Sequence, residues 1–427
     1  MVFRTLGSNG TVVGMRLLHW IVCGVLAASS APASEADSTP KVTFASQGRL
    51  RFEHSDRTDY LSKRSAFLLR IRPDIRLSKG SDLSLFAQPQ FAKAFGRPQF
   101  VGSSTSLNES QSTSGTVNDS SVGLHQAYIE LRAADFLTFT LGRQLLSYGN
   151  EVVLSGLDWD NTGRSFDALK AHYAHSVGSI DLFYSKLFAS SVTATTVGSG
   201  DSDLLGIYSA NDLGRGLEGA DAYFLFRRDQ TTGVSRDLFA LGIRIESRIG
   251  DWDYRAELTK EFGSAFTDPA SAHQLDLETG WSFAKPFKSR LGLELFHSGS
   301  DYDQLYPLAH KYLGIADAFG RRNIQGAVIH LNGTVGKGLT AQVDVHYLLR
   351  SSTSSPAYKL NGTSALGTGA NTSANIGMET DLIVNYAFSN DVTATLGGAM
   401  LIPGDYLRAE LGDVTPTFWY MQWVARL

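Results

Sequence analysis

Residues 69–77 read LRIRPDIRL, and the two interleaved halves of this stretch differ in character. The odd positions are all apolar, whereas the even positions carry Arg70, Arg72, Asp74 and Arg76. Successive side chains on a β-strand point to opposite faces, so the stretch predicts a strand with one apolar and one charged face. A half-buried strand of a soluble protein has the same pattern. A membrane-spanning strand is distinguished from a half-buried soluble strand by how often the pattern recurs along the chain.

The same alternation recurs along the chain, for example over residues 239–245, 252–258 and 339–349. Strands of about ten residues that are apolar outside and polar inside are typical of bacterial outer-membrane barrels. No run beyond Ala33 approaches the about 18 apolar residues of a membrane-spanning helix. Only helices and closed barrels satisfy all backbone polar groups in lipid. The sequence therefore predicts an all-β fold, a transmembrane antiparallel β-barrel.

The lengths of the connections predict the number of strands. Outer-membrane barrels alternate short periplasmic turns with longer outer loops. This parity holds along the chain when Asp203–Ala210 and Gly216–Arg228 are separate strands, which gives about 18 strands within a range of 16–18. The last predicted strand, Thr415–Leu427, presents an apolar, aromatic-rich face, as expected of a strand that barrel-insertion machinery recognises.

Composition excludes several other classes of protein. Hydrophobic residues make up 43% of the 427 residues and charged residues only 19%, below the about 25% of an average soluble chain. This is too apolar for a disordered chain, and one cysteine is too few for a disulfide scaffold. With 38 Lys and Arg against 42 Asp and Glu, there is no basic surplus for nucleic acid.

The first 33 residues have the pattern of a secretory signal peptide. Arg16 precedes an apolar core at residues 17–28, and Ala31-Pro32-Ala33 follows as a small-residue cleavage site. Met15 is an alternative start. We expect residues 1–33 to be the signal peptide and residues 34–427 to form one barrel domain in the outer membrane of a Gram-negative cell.

The alternation also predicts which charged side chains face the lumen. The early strands place a group of cations inside, namely Arg49, Arg51, Arg70, Arg72, Arg76, Arg132 and Lys170, and later strands add Arg244, Arg248, Arg255 and Arg350. The middle and late strands place mainly acids inside: Glu257, Asp276, Glu278, Glu294, Asp344, Glu379 and Asp381. Arg143 is ambiguous, because a bulge at Gly142 would change its face. Opposed charged walls in a wide barrel create a transverse field that orients polar solutes.

The arginines from Arg49 to Arg76 favour a solute that carries carboxylates, because guanidinium groups bind carboxylates in bidentate fashion. Any single arginine is as well explained by pairing with neighbouring lumen charges. As a group, five cations on one hairpin exceed the two nearby inward acids.

Three stretches resemble the alginate-export family of outer-membrane porins. They are Leu141–Gly149 with Trp159–Ala168, Leu305–Asp317 with Asn323-Ile324, and Trp252–Leu258. The resemblance implies an 18-stranded monomeric barrel that passes a polyuronate through an arginine-rich conduit.

The resemblance also implies roles for individual residues. It carries the basic lining to Arg49, Arg51, Arg70, Arg72, Arg143 and Arg164. Asp160 and Asp167 would orient Arg164, while His310 and Lys311 would lie on an outer loop near the exit or serve to pack that loop. The chain departs from the family's alginate exporter at Ser389-Asn390, where a late periplasmic turn is too short to help close the conduit.

Three functions remain open at this point. The first is a channel for an anionic polysaccharide of the alginate type, with periplasmic export machinery as partner. The second is an uptake porin for small carboxylates or sugars. The third is a surface scaffold or adhesin acting through the Ser-, Thr- and Gly-rich loops Gly96–Ser121 and Ser351–Asn375. Catalytic motifs such as Gly-x-Ser-x-Gly and His-Glu-x-x-His are missing from the sequence, so we expect no enzyme, cofactor or metal.

Overall fold

The computed structural model describes residues 39–57, 63–96, 120–187, 202–214, 216–229, 235–264, 266, 270–285 and 287–427. The predicted signal peptide and most of the loop Gly96–Ser121 lie outside these ranges. Within them, no helix is long and apolar enough to cross a membrane.

Eighteen antiparallel strands form one sheet in which each strand pairs with the next and the last pairs with the first. They are β1 (Lys41–Asp56), β2 (Lys63–Lys79), β3 (Leu83–Gly96), β4 (Ser120–Ala134), β5 (Leu137–Gln144), β6 (Phe166–His175), β7 (Gly178–Leu187), β8 (Ser202–Asn211), β9 (Gly219–Asp229), β10 (Arg236–Ile249), β11 (Trp252–Gly263), β12 (Ala270–Ser282), β13 (Arg290–Ser298), β14 (Ile324–Gly336), β15 (Leu339–Leu349), β18 (Asn375–Ala387), β19 (Val392–Pro403) and β20 (Thr417–Arg426). The predicted count of 18 is confirmed, including the division of residues 203–228 into two strands.

The remaining elements lie in loops. The loop between β15 and β18 contains the short pair β16 (Ala357–Tyr358) and β17 (Ala365–Leu366), and the β19–β20 loop contains helix α1 (Asp405–Leu411). A 3-10 turn covers Ala309–Lys311.

Side-chain exposure follows the predicted alternation. On β10, the outward Leu241 and Ile243 are 48% and 58% exposed, whereas Arg244 between Ile243 and Ile245 is buried. The outward residues form an apolar surface suited to lipid. Charged side chains thus collect inside the closed sheet.

The barrel closes where β1 meets β20. Leu50 lies opposite Trp423, and the backbones of Ser46 and Leu427 exchange hydrogen bonds of 2.8 and 2.9 Å. The aromatic outer face predicted for the last strand is confirmed, since Trp419 and Trp423 are about 40% exposed on it.

Two long loops fold into the barrel. They are the β5–β6 loop (residues 145–165) and the β13–β14 loop (residues 299–323). An apolar cluster inside the barrel includes Leu154, Leu305 and Tyr306 from these loops together with wall residues. The packed core of this protein therefore lies in the lumen, between the loops and the wall.

Candidate functional site in the lumen

The basic wall consists of four buried arginines on the inward faces of two neighbouring strands. Arg49 and Arg51 lie on β1, and Arg70 and Arg72 lie on β2, with Arg49 directly opposite Arg70. The sequence predicts this placement. Four guanidinium groups this close together need acceptors, because a buried charge without a partner is costly.

Backbone carbonyls of the β5–β6 loop supply most of those acceptors. Arg49 donates from Nη1 to the carbonyl oxygen of Asp158 (2.7 Å) and from Nη2 to that of Asp160 (2.8 Å). Arg51 donates to the carbonyl oxygen of Trp159 (2.8 Å), and Arg72 to that of Thr162 (2.9 Å). The loop is thus held on the basic wall through its main chain.

One carboxylate joins these carbonyls on the wall. Asp158 Oδ1 lies 2.9 Å from Nη2 of Arg70 and 2.7 Å from Nη1 of Arg72, while 64% of the Asp158 side chain remains exposed to the lumen. Burial alone would raise the pKa of this carboxyl, but the charges of Arg70, Arg49 and Arg72 outweigh it and hold the pKa well below its usual range. Asp158 therefore stays ionised at physiological pH.

Trp159 connects the basic wall to the second loop. Its ring lies under the Arg51 guanidinium at 4.0 Å and stacks on the His310 ring at a centroid distance of 3.5 Å. Its Nε1 donates to Asp317 Oδ2 at 3.0 Å. The three contacts place a cation–π interaction, an aromatic stack and a hydrogen bond on one side chain.

The β13–β14 loop contacts the acidic wall, which is formed by the inward carboxylates of the middle and late strands. It does so through backbone N–H groups rather than carbonyl oxygens. The N–H of Ala316 donates to Glu379 Oε1 (2.9 Å), and the N–H of Ile315 donates to Asp381 Oδ2 (3.1 Å). Gly314 precedes them with φ +90° and approaches Glu379 so closely that a Cβ atom would lie 2.2 Å from Oε1. A glycine is needed there both for this backbone conformation and for space.

Two buried arginines pair with other carboxylates of the acidic wall. Arg255 contacts Asp276 at 2.7 Å, Glu278 at 3.0 Å and Glu294 at 3.4 Å. Arg321, from the β13–β14 loop, also contacts Asp276 at 2.8 Å. Side chains of the protein itself thus offset part of the negative charge of this wall.

The two inward loops also bind each other. Ser155 N–H donates to Tyr306 O (2.9 Å), and Tyr306 N–H donates to Val153 O (2.9 Å). Arg164 donates to the same Tyr306 carbonyl at 2.7 Å and is buried. The structure therefore places Arg164 at the junction of the loops, inside the packed core.

The other predicted cations line the lumen or its rim and have acidic neighbours. Arg76 lies 3.6 Å from Glu130, and Arg132, near the end of β4, lies 2.9 Å from Asp135. Lys170 lies 3.8 Å from Asp181 on the neighbouring strand.

Arg244 lies on the inward face of β10. It pairs with Asp221 at 2.9 Å, contacts Glu246, and donates to Asn150 of the β5–β6 loop at 2.9 Å. It thus anchors the start of that loop, as the arginines of the basic wall anchor its centre.

Arg143 and Asp167 do not face the lumen. The pairing of β5 with β6 continues through Leu141↔Leu169 to Arg143↔Asp167 without a register shift, so Arg143 shares the outward face of Leu141. The two side chains form a bidentate pair at 2.8 and 2.9 Å. The expectations that Arg143 lines the conduit and that Asp167 orients Arg164 are therefore wrong. Asp160 is buried near the arginines and accepts from Thr162 N–H.

The β13–β14 loop does not project outward as expected for His310 and Lys311. His310 stacks on Trp159 and donates from Nδ1 to Asp317 Oδ2 at 3.0 Å, inside the barrel. Lys311 lies within 4.0 Å of Glu151 in the β5–β6 loop. Both residues belong to the contact between the two loops.

The Ser-, Thr- and Gly-rich loop Ser351–Asn375 is extensively hydrogen-bonded. Arg350 donates to the carbonyls of Ser355 (2.7 Å) and Asn371 (2.6 Å), and its guanidinium lies 4.1 Å from the ring of Tyr406 in α1. Serine- and glycine-rich composition did not reveal this order, because the contacts involve mainly backbone groups.

A cavity of about 460 Å³ remains beside the inward loops. Arg49 and Asp158 line one side of it, and Asp344, His346 and Asp381 line another. It therefore lies between the two charged walls. Sequence reasoning did not single out Asp158 or Trp159 as site residues, although they adjoin or begin one of the stretches that carry the family resemblance.

The family model for alginate export matches residues 43–421, nearly the whole barrel. The chain belongs to the alginate export family. No curated protein sequence matches the chain. Together with the closed 18-stranded sheet, membership of the alginate export family identifies the protein as an outer-membrane β-barrel channel.

Solved structures with the same fold come from two bacteria. Acinetobacter baumannii OccAB2 matches with a TM-score of 0.63 at 10% identity, covering 93% of this chain and 100% of that one. Pseudomonas aeruginosa OccK5 (OpdH) matches with a TM-score of 0.61 at 10% identity, covering 91% and 98%. Pseudomonas aeruginosa OpdK, solved with vanillate, matches with a TM-score of 0.59 at 11% identity, covering 91% and 99%. At these identities the likeness concerns the fold alone.

Proposed function

We propose that this barrel is a substrate-specific channel for carboxylate-bearing solutes, up to the size of short uronate oligosaccharides. The observation that carries the proposal is the environment of Asp158. Arg70 and Arg72 already hold a carboxylate that stays largely exposed to the lumen. A solute carboxylate that reaches Asp158 meets the same guanidinium groups, which bind carboxylates through charge-assisted hydrogen bonds.

The charge of the opposite wall supports the same proposal. On the acidic wall Arg255 and Arg321 pair with Asp276, whereas the four arginines of the basic wall contact two carboxylates, Glu53 and Asp158, and otherwise mainly carbonyl oxygens, which carry no net charge. The lumen between them thus has a positive surplus on one side. An anionic solute is attracted to that side and oriented by the field across the lumen.

The inward loops support an upper limit of solute size. The β5–β6 and β13–β14 loops bind both walls and each other, and the cavity beside them measures about 460 Å³. A long polymer would compete with these loops for space inside the barrel. The geometry therefore favours small carboxylates and short oligomers.

Passage of a long polyuronate is the second candidate function, and membership of the alginate export family favours it. It requires that the two loops leave the lumen together while the chain passes. Export of such a polymer would also depend on a synthase and on periplasmic partners.

Planar-bilayer recordings of the refolded barrel test the two candidates. A uronate monomer and oligomers of increasing length are added in turn, and the block of the ionic current is measured. We expect anion selectivity and block by the monomer. Asp158→Asn should tighten that block about tenfold, because the arginines lose an internal competitor worth about one charge-assisted hydrogen bond.

Asp167→Asn is the matched control, because it removes the same charge from the outward face and should leave the block unchanged. Block by long oligomers only, with no effect of the monomer, would favour the polymer conduit. A barrel that conducts nothing would contradict both candidates and leave the surface-scaffold hypothesis.

A further inference from the structure

Four titratable side chains meet on the lumen faces of β15 and β18. Asp344 lies directly opposite Asp381, and His346 lies directly opposite Glu379. All four are buried, with relative exposures between 0 and 6%. Like charges that face each other across a ladder destabilise a sheet, so the pair Asp344–Asp381 needs a compensating charge.

Few cationic groups are available to supply that charge. In the described part of the chain, none of Asp344, Glu379 and Asp381 forms an ion pair with a lysine or an arginine. Asp344 instead contacts His330 at 2.8 Å. Asp344 shares His330 with Glu294, which lies 3.4 Å from its Nε2, and among the described residues Asp381 has only His346 as a cationic neighbour. This contrasts with Asp276, which contacts both Arg255 and Arg321.

The unsatisfied atoms point to the missing partner. Neither ring nitrogen of His346 makes a hydrogen bond, although the side chain is 3% exposed, and Asp381 Oδ1 has none either. Nε2 of His346 lies 3.2 Å from Asp381 Oδ2. One ligand atom each from Asp344, His346 and Asp381 lies within 4.8 Å of the other two. We infer that these three residues bind a divalent transition-metal ion.

The donor set indicates which ion. Mg²⁺ and Ca²⁺ take oxygen ligands, whereas an imidazole nitrogen together with carboxylate oxygens suits Zn²⁺ and its first-row neighbours. His330 and Gln342 hydrogen-bond to the two oxygens of Asp344, at 2.8 and 2.7 Å, and would orient that ligand. Since all three ligands line the 460 Å³ cavity, water can complete the coordination from the lumen side.

Neither the sequence nor the family match assigns this site. Asp344 and His346 alternate with apolar residues like any lumen side chains, and Asp381 lies on a different strand. Only the register of β15 with β18 brings the three ligands together. The site does not depend on which solute the channel carries.

Isothermal titration of the refolded, tag-free barrel in detergent micelles with Zn²⁺ tests the inference. The protein is first treated with a chelator. We expect one Zn²⁺ per chain. His346→Asn and Asp381→Asn should each weaken binding at least about 100-fold, because each removes a direct ligand. Heat-dependent mobility on a gel shows whether each variant has folded.

Glu278→Gln is the matched control, because it removes another lumen carboxylate, one that contacts Arg255 and Arg290. It should bind Zn²⁺ as the unaltered protein does. Absence of stoichiometric Zn²⁺ binding by the unaltered barrel would overturn the inference, and so would equal affinity in folded Asp381→Asn.

A spectroscopic measurement on the unaltered protein covers the case in which the variants do not fold. Co²⁺ in place of Zn²⁺ should give visible absorption from a low-coordinate site with a nitrogen ligand, and added Zn²⁺ should abolish it. The spectrum of a fully hydrated Co²⁺ ion would contradict the site.

Discussion

The basic wall on β1 and β2 faces backbone carbonyl oxygens, whereas the acidic wall on β11, β12 and β18 faces guanidinium groups and backbone N–H groups. Each wall binds one inward loop. The basic wall binds backbone carbonyl groups of its loop, and the acidic wall binds backbone N–H groups. Carbonyl oxygens satisfy the hydrogen bonds of Arg49 without cancelling its charge, whereas Arg51 also pairs with Glu53 at 3.2 Å. Arg255 and Arg321, in contrast, cancel the charge of the acids they contact. The basic wall consequently retains positive charge for an anionic solute.

Removing Arg70 and Arg72, which hold Asp158, should reduce the difference between the two walls more than any other substitution. In the double variant Arg70→Ala/Arg72→Ala, the β5–β6 loop loses charge-assisted hydrogen bonds worth about 1.5–3 kcal/mol per arginine. We expect a higher conductance and a loss of anion selectivity. Single-channel current and the reversal potential in a salt gradient measure both.

Arg76→Ala is the control for that double variant. It removes one positive charge from the same face of β2, where the double variant removes two, but Arg76 contacts Ser84 and Tyr128 of the wall rather than the loop. An equal rise in conductance in Arg76→Ala would mean that lumen charge, and not the loop, sets the current.

On the acidic side, Gly314→Ala should disturb the other loop. The added Cβ would collide with Glu379 at a backbone φ of +90°, so we expect a destabilisation of about 1–3 kcal/mol. The temperature at which the folded barrel loses its gel mobility measures this. Gly412→Ala has the same φ but open space around it, and the steric argument fails if both variants lose equal stability.

A smaller effect is expected where the loops meet. Trp159→Leu removes the stack on His310 and the contact with Arg51, worth about 1 kcal/mol each. We expect more frequent current fluctuations as the loops separate. Trp252→Leu, on the outward face beside Trp281, is the control and should leave the fluctuations unchanged.

The smallest effect is expected from pH. The pKa of Asp158 is lowered in the folded protein, so its contribution is complete above the ordinary carboxyl pKa and is lost only when pH falls through the lower folded value. The difference in uronate block between the unaltered protein and Asp158→Asn should therefore stay constant from pH 7 to about pH 4. A difference that disappears within that interval would show that Asp158 is not held by the arginines.

The sequence predicted the strands, their number and the faces of Arg49, Arg70 and Arg244, because the alternation of side chains along a strand is a local property. It did not predict the inward loops, since backbone carbonyls and N–H groups make their contacts and every residue carries both. Arg143 was assigned to the lumen through family resemblance. The unbroken pairing of β5 with β6 keeps it on the face of Leu141 instead.

The closure of β1 onto β20 has a consequence for biogenesis. Because β1 and β20 come from opposite ends of the chain, their pairing closes the longest loop. It therefore costs more conformational entropy than the pairing of any two consecutive strands. Until Trp423 docks beside Leu50, the apolar outer faces and two unpaired strand edges remain available to other chains. We therefore expect the unassembled polypeptide to need a chaperone in the periplasm, and substitutions at this pairing to reduce the yield of inserted barrel before they alter its current.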